Sequence, residues 1–234
     1  MTEKQKILIV DDEDHILQML RMNMKKQGFD SFCVESGEEA LSICESEKPD
    51  LILLDVMLPG IDGVETCRRL KNHPDSRSIP VIMLSARSQG QDKINGLMGG
   101  ADDYITKPFS LEELFLRIRA ALRQVALLRE EKAVEFRCGS LVLNAERYQV
   151  ISDDSKIDFT LTEFRILHLM MKSTDRTVSR EILCRDIFEK DPGEIGRTMD
   201  VHFRNIRKKL TDNMVKDCEI LTLRGEGFRM TGPA

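Results

Sequence analysis

Asp11, Asp12, Asp55, Ser85 and Lys107 are the side chains of this chain whose types could do chemistry together, and each follows or closes an apolar run. Three carboxylates gathered at one point repel one another at neutral pH, so a hard divalent cation is their natural occupant. Magnesium suits them, because it prefers near-octahedral oxygen ligands, keeps several waters and uses one or two carboxylates alongside phosphate oxygens. Asp12 and Asp55 are the expected direct ligands, with Asp11 holding a metal-bound water and the backbone carbonyl of Met57 within reach. Asp55 is also a candidate nucleophile, since a carboxylate can attack a phosphoryl group in line and become an aspartyl-phosphate. That transfer needs positioning and charge neutralisation rather than a general base. Lys107 offers a mobile positive charge, and Ser85 a hydrogen bond to a phosphoryl oxygen. Any one of these aspartates, taken alone, is more often a helix cap or turn residue. Their order and context favour the site.

The elements that must position them can be read from periodicity. Residues 7–10, 51–54 and 81–84 are unbroken aliphatic runs, as expected of strands covered on both faces, although such runs alone could equally be buried helix segments. Between them, Ile16, Leu20 and Met24 in one segment, and Leu111, Leu114, Ile118 and Leu122 in another, repeat at helical spacing. Strand and helix alternate about five times, which predicts a doubly wound α/β domain with a parallel sheet. Ligands of such folds bind outside the carboxyl ends of the strands, where all these polar residues would lie.

The stretches ILIVDDE at 7–13, DVMLPGIDG at 55–63, LSA at 84–86 and GADDYITKPF at 100–109 resemble the receiver domain of two-component response regulators. The resemblance implies a five-stranded, flavodoxin-like fold in which Asp55 accepts a phosphoryl group from a histidine kinase. It further implies that Asp11 and Asp12 bind magnesium, and that Ser85, Tyr104 and Lys107 read the phosphorylation state. A cis bond before Pro108 is also implied. Such a protein is not a dedicated enzyme, although a receiver promotes its own phosphoryl transfer and dephosphorylation.

A chain of 234 residues with 41% hydrophobic content is long for one core and sufficient for two. The expected division is 5–122 for the α/β domain, 123–133 for a linker or helix extension, and 134–232 for a second, α+β domain. There, short β-like stretches at 136–138, 140–143, 147–151 and 156–159 precede helical segments at 161–171, 180–188 and about 196–210. Thr160 and Glu163 form a capping box, and Ser179 is a second N-cap. In the last helix Met199, Phe203, Ile206 and Leu210 define a buried stripe, leaving Arg197, Val201, Arg204, Asn205 and Lys208 opposite. The chain carries a net charge of −5, all of it contributed by residues 1–128, yet 197–210 alone is +4. A solvated surface would explain that face. A major groove, however, admits one helix, and this one mixes phosphate-binding cations with Val201, suited to a thymine methyl, and Asn205, suited to an adenine edge. The segment 220–230 reads as a β-hairpin with a glycine-rich tip whose Arg224 could reach a neighbouring minor groove.

LTEFRIL at 161–167, RTMDVHFRNIRKKL at 197–210 and TLRGEGFR at 222–229 resemble the winged-helix DNA-binding domain of the OmpR/PhoB family. The resemblance implies double-stranded promoter DNA as partner, with contacts from Arg197, Thr198, Val201, Arg204, Asn205, Arg207, Lys208 and Arg224, and makes the loop 189–196 a candidate contact for RNA polymerase. Family members often carry arginine where Asn205 stands, which leaves the preferred base open. The resemblance also implies a homodimer on activation through the fifth strand and its flanking helices, with Lys93, Asp102, Asp103, Glu113, Arg117 and Arg119 as interface charges. Met98 stands where relatives commonly carry a carboxylate, so one cross-dimer ion pair is expected to be missing.

Six cysteines at 33, 44, 67, 138, 184 and 218 include no Cys-x-x-Cys pair. Scattered thiols without a secretory signal suggest the cytoplasm and are expected as small core or surface residues. No apolar run approaches the roughly 18 residues that span a membrane. Two other readings stay open. One is a regulator that binds DNA regardless of phosphorylation. The other is a magnesium-dependent phosphatase of the haloacid dehalogenase type, against which Met57 stands where those enzymes have an acid/base aspartate.

Overall fold

The aliphatic runs become central strands because successive residues of each bury themselves in opposite layers. The strands are β1 (Lys6–Val10), β2 (Asp30–Val34), β3 (Leu51–Asp55), β4 (Val81–Ala86) and β5 (Asp103–Lys107), all parallel in the order β2-β1-β3-β4-β5. Ile7, Ile9, Leu51, Leu53, Ile82 and Leu84 join the core that holds Leu17, Leu20 and Met24 of α1 (Asp14–Lys26) and Leu114, Ile118 and Leu122 of α4 (Leu111–Glu130). Leu8, Val10, Ile52, Leu54, Val81 and Met83 join the other, with Ala40 and Cys44 of α2 (Gly37–Glu47) and Cys67 and Leu70 of α3 (Gly63–Asn72). This is the doubly wound sheet expected from the sequence. Its strand order reverses about β1, which opens a crevice at the carboxyl ends of β1 and β3.

The computed structural model of the protein describes residues 4–86, 100–130, 135–153, 155–188 and 192–233; of 129–130 and 192–197 it describes the backbone alone. Lys93 and Met98 lie outside the described residues, as do 189–191 and the side chain of Arg197. The chain divides into two compact units, 1–123 and 124–234, and α4 continues without a break through the boundary to Glu130.

In the second unit, β6 (Glu135–Cys138), β7 (Leu141–Asn144), β8 (Gln149–Ser152) and β9 (Ser155–Ile157) form an antiparallel sheet. It is followed by α5 (Leu161–Lys172), by α6 (Arg180–Leu183) running into a π-helical turn over Cys184–Phe188, and by α7 (Pro192–Asp212). The strands β11 (Glu219–Leu223) and β12 (Gly227–Thr231) close the chain as a hairpin, giving the winged-helix arrangement. Thr160 and Glu163 make the reciprocal capping box, and the Ser179 hydroxyl caps α6 by accepting from the Ile182 amide.

Two features depart from the periodicity. Helix α7 begins four residues earlier than expected, at Pro192, because proline's fixed φ fits the first helical position and its missing N–H is not needed there. A short strand, β10 (Thr177–Ser179), was not foreseen: it pairs with β12, setting Val178 opposite Phe228. Three residues are too few to display a repeat. That pairing depends on Gly227, where a Cβ would lie 2.2 Å from the Val178 carbonyl oxygen.

Candidate functional site

Strand register gathers the acidic site. Val10 pairs with Leu54, Asp55 with Leu84, Ser85 with Thr106 and Ala86 with Lys107, so Asp11, Asp55, Ser85 and Lys107 leave four adjacent strands at one edge. Ligand oxygens of Asp11, Asp12 and Asp55 all lie within 4.8 Å of one another. Asp11 and Asp55 are buried and Asp12 is exposed, so the cluster opens to solvent on the Asp12 side. There a cavity is lined by Asp12, Val56, Met57, Leu58, Pro59, Asp62 and Val64. Hard oxygen donors converging at an open crevice fit a magnesium ion that keeps waters and shares a phosphate.

Lys107 supplies the countercharge. Its ammonium donates to Asp11 Oδ2 at 2.7 Å, lies 3.2 Å from Asp55 Oδ1, and reaches Glu13 Oε1 at 3.4 Å. Burial pushes the Asp55 carboxyl up to about 6; Lys107 opposes the rise and Asp11 adds to it. The Lys107 ammonium is itself held above its ordinary value, its two aspartate partners outweighing its burial. Lys107 is followed by a cis peptide bond to Pro108. Ser85 is buried at the site's edge, and Tyr104, two strand positions before Thr106, is half-buried against the core under α2 and α3.

Two contributors carried no role in the sequence reading. Gly63 starts α3 so close to β3 that a Cβ there would lie 1.9 Å from the Asp55 backbone oxygen, while its amide donates to the Val56 carbonyl at 3.0 Å. Glycine is therefore what brings the loop 56–62 round over the site. Glu13 adds a further carboxylate beside Lys107. Both stand in the stretches that carry the family resemblance, but only contact distances assign them work.

The charges expected at a dimer surface, where described, all have internal partners. Arg117 donates to Asp103 at 3.0 Å and to Glu113 at 2.8 Å, and Arg119 to the Gln27 side-chain oxygen at 2.5 Å. Asp102 departs furthest from that expectation. Its side chain is 8% exposed and meets Lys71 Nζ at 2.6 Å, which also donates to the Ile79 carbonyl; the Val81 amide donates to the same Asp102 oxygen.

The second unit presents the basic helix. Met199, Phe203, Ile206 and Leu210 are buried, as their spacing predicts, whereas Arg204 and Lys208 are exposed and Thr198, Val201 and Asn205 half-buried beside them. Phe203 stacks on Phe228 of the hairpin with ring centroids 3.6 Å apart, and Arg180 lies over the same Phe228 ring at 4.9 Å. Arg207 is set apart from the other basic residues: its guanidinium donates to the Ile220 carbonyl at 2.9 Å and the Thr222 hydroxyl at 2.7 Å. It braces α7 against β11, and its burial lowers its pKa. Lys209 similarly ties α7 to α5, donating to the buried Glu163 carboxylate at 2.6 Å. Helix and hairpin are thus fixed as one surface, with Arg224 exposed at the hairpin turn.

A family model of the response regulator receiver domain matches residues 7–119, and one of the C-terminal domain of transcriptional regulatory proteins matches 154–230. The chain is 36% identical to the alkaline phosphatase synthesis transcriptional regulatory protein PhoP of Bacillus subtilis, over 97% of each chain. It is 38% identical to the phosphate regulon transcriptional regulatory protein PhoB of Rhizobium meliloti, over 96% of this chain and 98% of that one. Among solved structures, a cysteine-to-aspartate mutant of RitR aligns over 98% of this chain and all of its own with a TM-score of 0.79; at 24% identity it shows the fold alone. None of the described helices is long and apolar enough to cross a membrane.

Proposed function

Because the chain belongs to the OmpR/PhoB family of response regulators, with a receiver domain and a DNA-binding transcriptional-regulator domain, we propose that Asp55 takes a phosphoryl group from a histidine kinase and thereby controls promoter binding in the cytoplasm. One observation carries this reading: the Asp55 carboxylate stands at an open crevice with two further carboxylates within 4.8 Å and an ammonium at 3.2 Å.

An Asp55 oxygen attacks phosphorus in line; the new O–P bond forms as the N–P bond to the donor imidazole breaks, and the imidazole leaves with a proton. Near neutral pH most Asp55 is ionised and ready to attack, although burial holds its pKa at about 6. Lys107 neutralises charge on the equatorial oxygens, and Ser85 donates to one of them. Asp11, Asp12, Asp55 and the Met57 carbonyl would hold magnesium, which when bound supplies Lewis-acid neutralisation of the phosphoryl oxygens. No separate base is required, and the protein is a regulator rather than a dedicated enzyme.

Phosphorylation changes what Ser85 and Lys107 contact, and it can shift only an equilibrium whose two states meet the new group differently. Drawing these side chains inward makes room for Tyr104 to turn toward the core, which alters the surface of β5 and α4. A dimer through that surface would exchange the internal Arg117 pairs with Asp103 and Glu113 for cross-partner ones. Coupling two DNA-binding units makes the second contact intramolecular, which raises avidity by about 10² or more. The full-length protein treated with acetyl phosphate and magnesium is expected to bind promoter DNA at least about tenfold more tightly than the untreated protein. Equal affinity of the two forms would favour a regulator that binds regardless of phosphorylation.

On DNA, α7 enters the major groove. Arg197, Arg204 and Lys208 track phosphates, Thr198, Val201 and Asn205 approach base edges, Arg207 fixes the helix to the hairpin, and Arg224 reaches the minor groove. RNA polymerase is the partner proposed for residues 189–196. Arg204→Ala is expected to leave stability unchanged, because the side chain is exposed, and to lower the slope of log K against log salt by roughly 0.9. A slope equal to that of the wild type would move Arg204 off the phosphate backbone.

A further inference from the structure

Two of the six cysteines are neither scattered nor isolated once the chain is folded. Cys138 ends β6 and Cys218 immediately precedes β11, 80 residues later, yet their sulfur atoms are in contact at 2.6 Å. Both are buried, Cys138 fully and Cys218 with 5% of its surface exposed. Their backbones are held together independently of the sulfurs. Ser140 donates to Asp217 from its amide at 2.7 Å and from its hydroxyl at 2.8 Å, and the Gly139 amide donates to the Pro233 carbonyl at 3.0 Å. Gly232 leaves the space between: a Cβ there would lie 2.6 Å from Cys138 Sγ and 2.7 Å from the Asp217 carbonyl oxygen.

We propose that Cys138 and Cys218 form a modification site, a thiol pair that a hydroperoxide oxidises reversibly to a disulfide linking the N-terminal sheet of the DNA-binding unit to its hairpin. A disulfide requires the two side chains to be brought face to face, which two cysteines at arbitrary core positions do not achieve. Here the fold has already done so. The Cys218 thiol donates to Cys138, which draws the Cys138 thiol below its ordinary value, while that bond and burial push Cys218 up. Cys138 is therefore the sulfur better able to carry thiolate charge.

The reaction balances with one equivalent of peroxide. The Cys138 thiolate attacks an oxygen of hydrogen peroxide, the O–O bond breaks, and a sulfenic acid forms as hydroxide leaves and takes up the proton shed by the thiol, giving water. The Cys218 sulfur, losing its proton, then attacks the sulfenic sulfur and expels a second water. The two sulfurs together give up two electrons, and the peroxide accepts them. Cys138 has no exposed surface and Cys218 only 5%, so the oxidant has to be small, and a bulky disulfide such as oxidised glutathione is excluded. Once formed, the bond closes a loop that contains α5 and the DNA-facing helix, so it restrains the unfolded chain strongly.

The full-length protein would be treated with hydrogen peroxide, alkylated, digested without reduction and mapped by mass spectrometry. The expected result is a single linked peptide pair joining Cys138 to Cys218, released by dithiothreitol. The melting temperature of the C-terminal unit should rise on the order of 10 °C in step with it. Cys218→Ser should remove both the linked pair and the shift, whereas Cys44→Ser and Cys67→Ser should remove neither. The proposal is overturned by alkylation of both thiols after peroxide treatment, by sulfinic acid at either position in place of a link, or by a different pairing, within or between chains. Should Cys218→Ser fail to fold, the wild-type peptide map alone decides.

Discussion

Asp55→Asn is expected to abolish labelling by radioactive acetyl phosphate and, in the absence of divalent ions, to make the protein more stable. The first effect is complete, because no other carboxylate of the site combines burial in the crevice with Asp55's place at the end of β3. The second follows from its environment. Asp55 titrates at about 6 in the folded protein and at 3.8 in an ordinary setting, so between these values the folded chain holds more protons than the unfolded one. Stability contributed by this group is therefore greatest below about pH 4 and is lost as pH rises toward 6. Solvent reaching the open crevice screens part of this cost, which leaves on the order of 1–2 kcal/mol at neutral pH for the neutral, isosteric asparagine to recover. Denaturation of wild type and variant at pH 7.5, without magnesium, should show the variant more stable. The difference should shrink as the pH is lowered to 4, and magnesium should narrow it by stabilising only the wild type. Persisting label on the variant would remove Asp55 from the chemistry, and equal stability at pH 7.5 would mean the carboxylate is better solvated than its burial indicates.

Lys71→Ala is expected to destabilise the receiver unit by about 3–5 kcal/mol, since it withdraws the charge partner from a carboxylate that solvent scarcely reaches. Lys71 and Asp102 lie at 2% and 8% side-chain exposure, and the ammonium also holds the Ile79 carbonyl at 2.6 Å and the Arg77 carbonyl at 3.4 Å. The pair thus fastens the end of α3 and the segment before β4 to the start of β5. Asp102 keeps the Val81 amide after the substitution but loses the Lys71 ammonium at 2.6 Å. The double variant Lys71→Met, Asp102→Leu should recover much of the loss, because replacing both members of a buried pair by apolar groups is far less costly than removing one. Urea denaturation of the single and double variants measures both. A single-variant loss under about 1 kcal/mol would show that water reaches Asp102 in solution.

The receiver fold was legible because its signals are local and redundant. Aliphatic runs at 7–10, 51–54 and 81–84 could alone be strands or buried helix segments, and their alternation with helical repeats decided for strands; in α1 and α4 the repeats fall on the buried Leu20, Met24, Leu114, Ile118 and Leu122 and on the half-buried Ile16 and Leu111. The acidic site could be anticipated for a related reason: residues that end parallel strands must lie at one edge, so Asp11, Asp55 and Lys107 could be placed together before any distance was known. In α7 the buried stripe was equally plain, since Met199, Phe203, Ile206 and Leu210 follow the helix period. What escaped was short or non-local. The strand β10 spans three residues, and its partner β12 lies some 50 positions away.

Composition, periodicity and the order of polar residues after strands therefore determined the two fold classes, the acidic edge and the basic helix, because each depends on residue type and spacing along one element. Tertiary structure alone decided which charges are spent internally. Arg207 grips the hairpin, Asp102 closes on Lys71 and Lys209 on Glu163, and Cys138 meets Cys218, through contacts between segments 13 to 80 residues apart. Periodicity assigns a side chain to a face; only the packing of one element on another says whether that face meets water or a partner.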